Sequence, residues 1–185
     1  MAMVRGAEIL GVVLNLTYTW CYLNGTLPLG YAFAGFGALS LGWACWRRNL
    51  HAETILHGFY FLMAGCGAWL VEQDAWSMTQ GSMRVHLLAV ICGAAGWGLM
   101  VPWLKKRGSS LPVVDAFTNV YSLIGTWWMI QGDPINWIYW IVIDVVSVFL
   151  YAKRGMPWGA LLFAVYTLLA LDGWFEDISW FTVSG

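Results

Sequence analysis

The chain has 185 residues, of which 60% are hydrophobic and only 10% charged, with a net charge of −1 and a mean hydropathy of +0.66. An ordinary soluble domain carries roughly 25% charged residues, so this composition points to lipid, and the near-zero charge excludes a polyanion-binding surface and nucleic acid as a partner. Fourteen tryptophans exceed what a core of this size needs; aromatic belts at two membrane faces, or a stacking site, would use them.

A helix needs about 20 mainly apolar residues to cross the hydrocarbon. On that measure the chain divides into runs at 4–23, 29–46, 53–71, 84–104, 112–131, 134–152 and 156–174. The first run carries Glu8 and Asn15 and is followed by further spans, which argues against a cleavable leader. Short polar connectors separate most runs: Asn24-Gly25-Thr26, Arg47-Arg48-Asn49, Lys105 to Ser110, Gly132-Asp133-Pro134 and Lys153-Arg154-Gly155. The longest connector, Glu72 to Met83, is expected to lie along the interface. The four cysteines (Cys21, Cys45, Cys66, Cys92) sit inside apolar runs without metal-ligand spacing and read as thiols buried at lipid depth.

Basic residues orient the spans. The first end and the connectors after spans two, four and six hold Arg5, Arg47, Arg48, Lys105, Lys106, Arg107, Lys153 and Arg154, which leaves Arg84 alone on the other side. Glu72, Asp74, Asp133, Glu176 and Asp177 gather on that other side. The positive-inside rule then places the N-terminus in the cytoplasm and the C-terminus outside, in an inner membrane. The asymmetry also supports an odd number of spans, since a six-span arrangement would put part of the basic set on the wrong face.

Sliding the chain by 106 positions brings Pro28 onto Pro134, Arg47-Arg48 onto Lys153-Arg154, Tyr60 onto Tyr166, Ala64 onto Ala170 and Gly67 onto Gly173. Spans one to three thus pair with spans five to seven. One membrane domain is expected over 1–185, with three-helix bundles at 4–71 and 112–174 joined by a linker helix at 84–104. Parallel repeats of this kind hold a solute between the halves near mid-depth in transporters.

Charges at lipid depth are costly and usually face a cavity or a partner. Asp144 lies mid-way along the sixth span, and Asn136, Trp140 and Asp144 follow one another at i, i+4, i+8 on one face, with Ser147 beside them. Amide, indole and carboxylate together suit a flat, hydroxylated or cationic solute; a carboxylate hydrogen-bonded to a neighbouring helix is the structural alternative for Asp144. Asp115 opens the fifth span after Pro112, where an acid favours the helix dipole. Asp172 lies near the outer end of the seventh span and could face an outer vestibule. His57 and His86 are single, without a metal-ligand partner at helical spacing. No nucleophile set, phosphate-binding glycine loop or nucleotide fingerprint occurs, so an enzyme has no positive support and no cofactor is implied.

The run Asn136-Trp137-Ile138-Tyr139-Trp140-Ile141-Val142-Ile143-Asp144, with Leu150 to Gly155 after it, resembles the sixth-span signature of the PnuC family of vitamin transporters. Leu111-Pro112-Val113-Val114-Asp115-Ala116-Phe117-Thr118, ahead of Ser122 and Trp127, and Ala52-Glu53-Thr54-Ile55-Leu56-His57-Gly58-Phe59-Tyr60 are similar to that family's fifth and third spans. With the segment Leu161 to Gly173 the resemblance covers most of the chain. One departure stands out. The third span ends Gly67-Ala68-Trp69-Leu70-Val71-Glu72-Gln73, where many members have a denser aromatic cluster.

The resemblance implies an all-α membrane protein of two three-helix bundles and a linker helix, similar in architecture to SWEET transporters but oppositely oriented. It also implies homotrimers and facilitated diffusion of a vitamin that a cytoplasmic kinase then traps. Nicotinamide riboside is the expected solute, with thiamine as the alternative and riboflavin or deoxynucleosides among relatives' cargoes. The expected site has Trp140 and Trp137 walling the solute, Asn136 bonding hydroxyls and Asp144 positioning it. Tyr60, Trp69 and Gln73 would contribute from the third span, and Thr118, Ser122 and Trp127 from the fifth. An intramembrane enzyme and a non-transporting assembly subunit are the rival classes.

Overall fold

A computed structural model describes residues 2–72 and 81–175. Gln73 and most of the long connector therefore lie outside the described residues. Seven α-helices account for nearly all of the rest: α1 (Ala2–Leu23), α2 (Leu27–Trp46), α3 (His51–Glu72), α4 (Met83–Lys106), α5 (Pro112–Ile130), α6 (Asn136–Lys153) and α7 (Pro157–Phe175). They coincide with the seven apolar runs to within a few residues. Five of them (α2, α3, α4, α6, α7) are long and apolar enough to cross a membrane. Helices α1 and α5 are of similar length but more polar, with Arg5, Glu8 and Asn15 in one and Asp115, Asn119 and Ser122 in the other.

The helices stop where the sequence supplies a residue that tolerates left-handed backbone. Gly25, Asn49, Gly108, Gly132 and Gly155 have φ of 71°, 59°, 78°, 66° and 65° and follow α1, α2, α4, α5 and α6. In each case the next residue's N–H reaches back over the turn: Thr26 to Cys21, Leu50 to Cys45, Ser109 to Leu104, Asp133 to Trp128 and Met156 to Tyr151, all at 2.9–3.1 Å. This closure satisfies carbonyls the helix leaves open, which matters most in lipid, where water is not at hand. Prolines then restart α2, α5 and α7 in the first turn, where no N–H is needed.

Two compact units result, α1–α3 and α4–α7. In the first, α2 packs on both α1 and α3. The packing is close because small residues sit at the crossings: a Cβ on Gly11 would come 2.6 Å from Leu41, and one on Gly67 would strike the Tyr31 ring. Ser40 donates to the Ala7 carbonyl at 2.8 Å, and Arg48 pairs with buried Glu8 at 2.8 Å. The second unit uses the same devices. Helix α6 packs on α5 and α7, Gly173 lies flat against the Trp137 ring, and Arg154 grips Asp115 with contacts of 2.7 and 2.6 Å. Helix α4 joins this unit by packing on α5, where Trp97 Nε1 donates to the Val113 carbonyl at 2.8 Å.

The repeat seen in sequence therefore has a structural counterpart inside each unit. Tyr31 and Gly67 stand where Trp137 and Gly173 stand, 106 positions on, and Asn49 stands where Gly155 does. The ion pairs correspond too: Glu8 to Arg48 spans 40 residues and Asp115 to Arg154 spans 39. Asp115, which its position alone assigns to the helix dipole, is thus held by Arg154 and by the Ser109 hydroxyl as well.

Candidate solute site

Two polar stripes meet in the second unit. On α6, Asn136 and Asp144 are each 2% exposed and Ser147 is buried beside them, with Trp140 partly buried between. On α5, Asp115, Thr118, Ser122 and Thr126 are buried at helical spacing. Gly125 shows that this side of α5 faces α6: a Cβ there would lie 3.4 Å from the Trp140 indole and 3.5 Å from Ile143. Thr118, seven residues earlier, shares that side.

Buried polar atoms are expected to be hydrogen-bonded, and each that is not asks for an explanation. Among the described residues, the buried atoms without a partner include Asn136 Oδ1, Trp140 Nε1, Asp144 Oδ1 and Thr126 Oγ1, as well as His86 Nδ1 and Asp172 Oδ1 elsewhere in the unit. Asn136, Trp140 and Asp144 stand one helical turn apart on one face of α6. They form a sequence of acceptor, donor, acceptor at steps of about 6 Å. The orientation of the Asn136 amide is fixed by chemistry. Its nitrogen lies 2.6 Å from the Asp133 carbonyl, which only an N–H can approach, so the oxygen is the atom left open. Thr118, by contrast, spends its hydroxyl on its own helix, at 3.2 and 3.1 Å from the Val114 and Asp115 carbonyls.

The other expected residues sit differently. Trp137 is on α6 but turned to α7, its ring against Gly173. Trp127 is 54% exposed and off the buried stripe, which continues through Thr126 instead. In the first unit Trp69 is 60% exposed, and Tyr60 is half-buried with its ring edge-on to His57 at 5.8 Å. Gln73 lies outside the described residues.

Reading by spacing misses a buried junction beside Asn136. His86 on α4 and Asp133 in the α5–α6 turn are 47 residues apart in sequence and 3.2 Å apart in space. No local pattern links them; only the burial of a histidine and an aspartate, 4% and 1% exposed, marks them out.

The pattern of the nicotinamide mononucleotide transporter family matches residues 5–181, a range that takes in all of α2–α7 and α1 from its fourth residue. The chain belongs to this family. Within it, the chain is similar to the nicotinamide riboside transporter PnuC of Neisseria mucosa, at 26% identity over 143 residues, 76% of this chain and 49% of that one. It is also similar to the nicotinamide riboside transporter PnuC of Escherichia coli, at 29% over 149 residues, 75% of this chain and 60% of that one. It thus spans 49% and 60% of these two relatives. The fold is shared with a solved structure, the crystal structure of the vitamin B3 transporter PnuC, with a TM-score of 0.71 and 16% identity over 94% of this chain and 80% of that chain. Membership of a transporter family, with five helices apolar enough to cross, makes the chain a multi-pass membrane protein.

Proposed function

We propose that the chain is a facilitator that carries nicotinamide riboside through the membrane. The observation that supports this most is the line of three buried, unpartnered polar atoms on α6: Asn136 Oδ1, Trp140 Nε1 and Asp144 Oδ1. Leaving such atoms unpaired costs about 1–3 kcal/mol each, a cost that a bound solute would remove. A nicotinamide riboside molecule offers matching chemistry: hydroxyl and carboxamide N–H donors for the two oxygens, oxygen acceptors for the indole N–H, and a flat cationic ring for the indole face. The curated relatives' function points the same way.

In this reading Asn136, Trp140 and Asp144 bind the solute, Thr118 and Ser122 line it from α5, and Trp137 braces the wall. Trp127 on α5, and Tyr60, Trp69 and Gln73 of the third span, enter the proposal on the resemblance alone. All seven helices cross the membrane, α1 and α5 turning Glu8 and Asp115 into their own units, with the basic-rich ends and the N-terminus in the cytoplasm of an inner membrane. The architecture is SWEET-like, homotrimeric assembly follows the resemblance, and a cytoplasmic kinase supplies the sink. Thiamine, also a flat hydroxylated cation, is the second solute to try, because the third span departs from the aromatic-rich pattern in the stretch Gly67 to Gln73.

The test is uptake by liposomes containing only the purified chain. Saturable entry of nicotinamide riboside that stops when the gradient is dissipated is the expected result. Entry of thiamine alone would reassign the solute, and no entry of either would favour an assembly subunit. Release of a chemically altered product would favour an enzyme.

A further inference from the structure

His86 and Asp133 do more than join α4 to the α5–α6 turn. Every hydrogen-bonding group of Asp133 is engaged. Its N–H donates to the Trp128 carbonyl at 3.0 Å, its Oδ1 accepts the Ile135 N–H at 2.9 Å, and its Oδ2 accepts the Gly81 N–H at 2.6 Å and the His86 Nε2–H at 3.2 Å. The remaining carbonyl accepts twice from one residue: the backbone N–H of Asn136 at 3.0 Å and its side-chain amide at 2.6 Å. The junction is packed without slack. The Trp128 ring lies 4.4 Å from the His86 ring, the Tyr139 hydroxyl donates to the His86 carbonyl at 3.5 Å, and a Cβ on Gly81 would come within 2.9 Å of His86 Nε2.

We infer that His86 and Asp133 are positioning residues that lock the Asn136 side chain as a hydrogen-bond acceptor, so that this end of the site selects solutes presenting an N–H or O–H donor. An unanchored asparagine can rotate its amide and accept or donate as the ligand requires. Here the NH₂ group is committed to a carbonyl that is itself fixed by four contacts, and only the oxygen is offered. A buried acceptor of fixed polarity rejects a solute lacking the donor far more strongly than a hydrophobic wall rejects a misfit, because the acceptor would be left unpaired. This selection rests on the transport reading above; the locking of the amide does not.

The experiment reads both. In ligand-free protein labelled with ¹⁵N-asparagine, solvent exchange of the Asn136 side-chain amide should accelerate about tenfold or more in His86→Leu. The Asn119 amide, bonded to the Asp115 carbonyl at 2.9 Å, serves as the internal control and should not change. His86→Gln, which keeps a donor, should restore part of the protection. If His86→Leu does not fold, Gly81→Ala disturbs the same junction and should accelerate the same amide. Exchange equal to wild type in the variant used would overturn the inference. The solute arm is a double-mutant cycle. His86→Leu should weaken nicotinamide riboside binding about tenfold in the wild-type background and less than about twofold in Asn136→Ala. Equal losses in both backgrounds would overturn the positioning role. A wild-type protein that binds no solute, with exchange still responding to His86→Leu, would count against the transport reading alone.

Discussion

The two units solve the same structural problem with the same parts and then diverge where chemistry begins. Each closes its middle helix, α2 or α6, with an arginine that reaches back to an acid on the helix before it, Arg48 to Glu8 on α1 and Arg154 to Asp115 on α5. Each ends that helix on a left-handed residue and presses a glycine of its last helix onto an aromatic ring. The faces of the middle helices differ. Where α6 has Asn136, Trp140 and Asp144, α2 has Gly30, Ala34 and Ala38, 106 positions earlier. Where the α5–α6 turn has Asp133, the α1–α2 turn has Thr26, whose hydroxyl simply returns to the Cys21 carbonyl at 3.2 Å. The features that hold a bundle together are common to both, and the buried polar stripe stands on α6 and not on α2.

The largest expected effect separates the two ion pairs. Arg154→Ala should destabilise by about 3–5 kcal/mol, because it leaves Asp115 charged and buried. Arg48→Ala should cost distinctly less, since the Arg48 side chain is 26% exposed against 7% for Arg154 and water can replace it. Thermal unfolding of the two variants in one detergent checks the order; a larger loss for Arg48→Ala would break the comparison.

Next comes the difference in chemistry. Trp140→Ala should lower solute affinity by about 2–4 kcal/mol, the range for a buried aromatic anchor, while lowering the melting temperature far less than Arg154→Ala does. Substitution of its counterpart, Ala34→Ser, should leave affinity unchanged, as isothermal titration would show.

Smaller again are the two glycine-on-ring contacts. Gly67→Ala and Gly173→Ala should each cost about 1–3 kcal/mol in stability, because the added methyl meets a ring that cannot retreat freely. Only Gly173→Ala should also weaken binding, since it displaces Trp137. Comparable affinity losses in both would mean that the first unit shares the site equally.

The smallest effect lies at the helix ends. Asn49→Gly should stabilise by a few tenths of a kcal/mol and Gly155→Ala should destabilise by about 1 kcal/mol, both at a φ near +60°. Chemical denaturation of each variant would measure the pair.

These contrasts explain how far the sequence could be read. The spans were legible because glycine, asparagine and proline mark the ends of helices locally, and the α6 stripe because i, i+4, i+8 is a local spacing. The repeat was legible through Gly67 and Gly173 because both copies keep a glycine against a ring. What was hidden depends on tertiary distance. Arg154 and Asp115 lie 39 residues apart, and His86 and Asp133 lie 47 apart, so no window of sequence contains either pair. The inner face of α5 was half legible: Ser122 and Thr118 stand on it, but the aromatic that attracts notice, Trp127, is exposed while Thr126 is buried.

The central claim is that the solute is held on the α6 stripe of the second unit. Its most direct test is a titration of nicotinamide riboside into purified wild type and Trp140→Ala, followed by intrinsic tryptophan fluorescence. Saturable quenching in the wild type, lost in a Trp140→Ala variant that still melts cooperatively, is the predicted result. Wild-type affinity retained in Trp140→Ala would contradict the placement of the site.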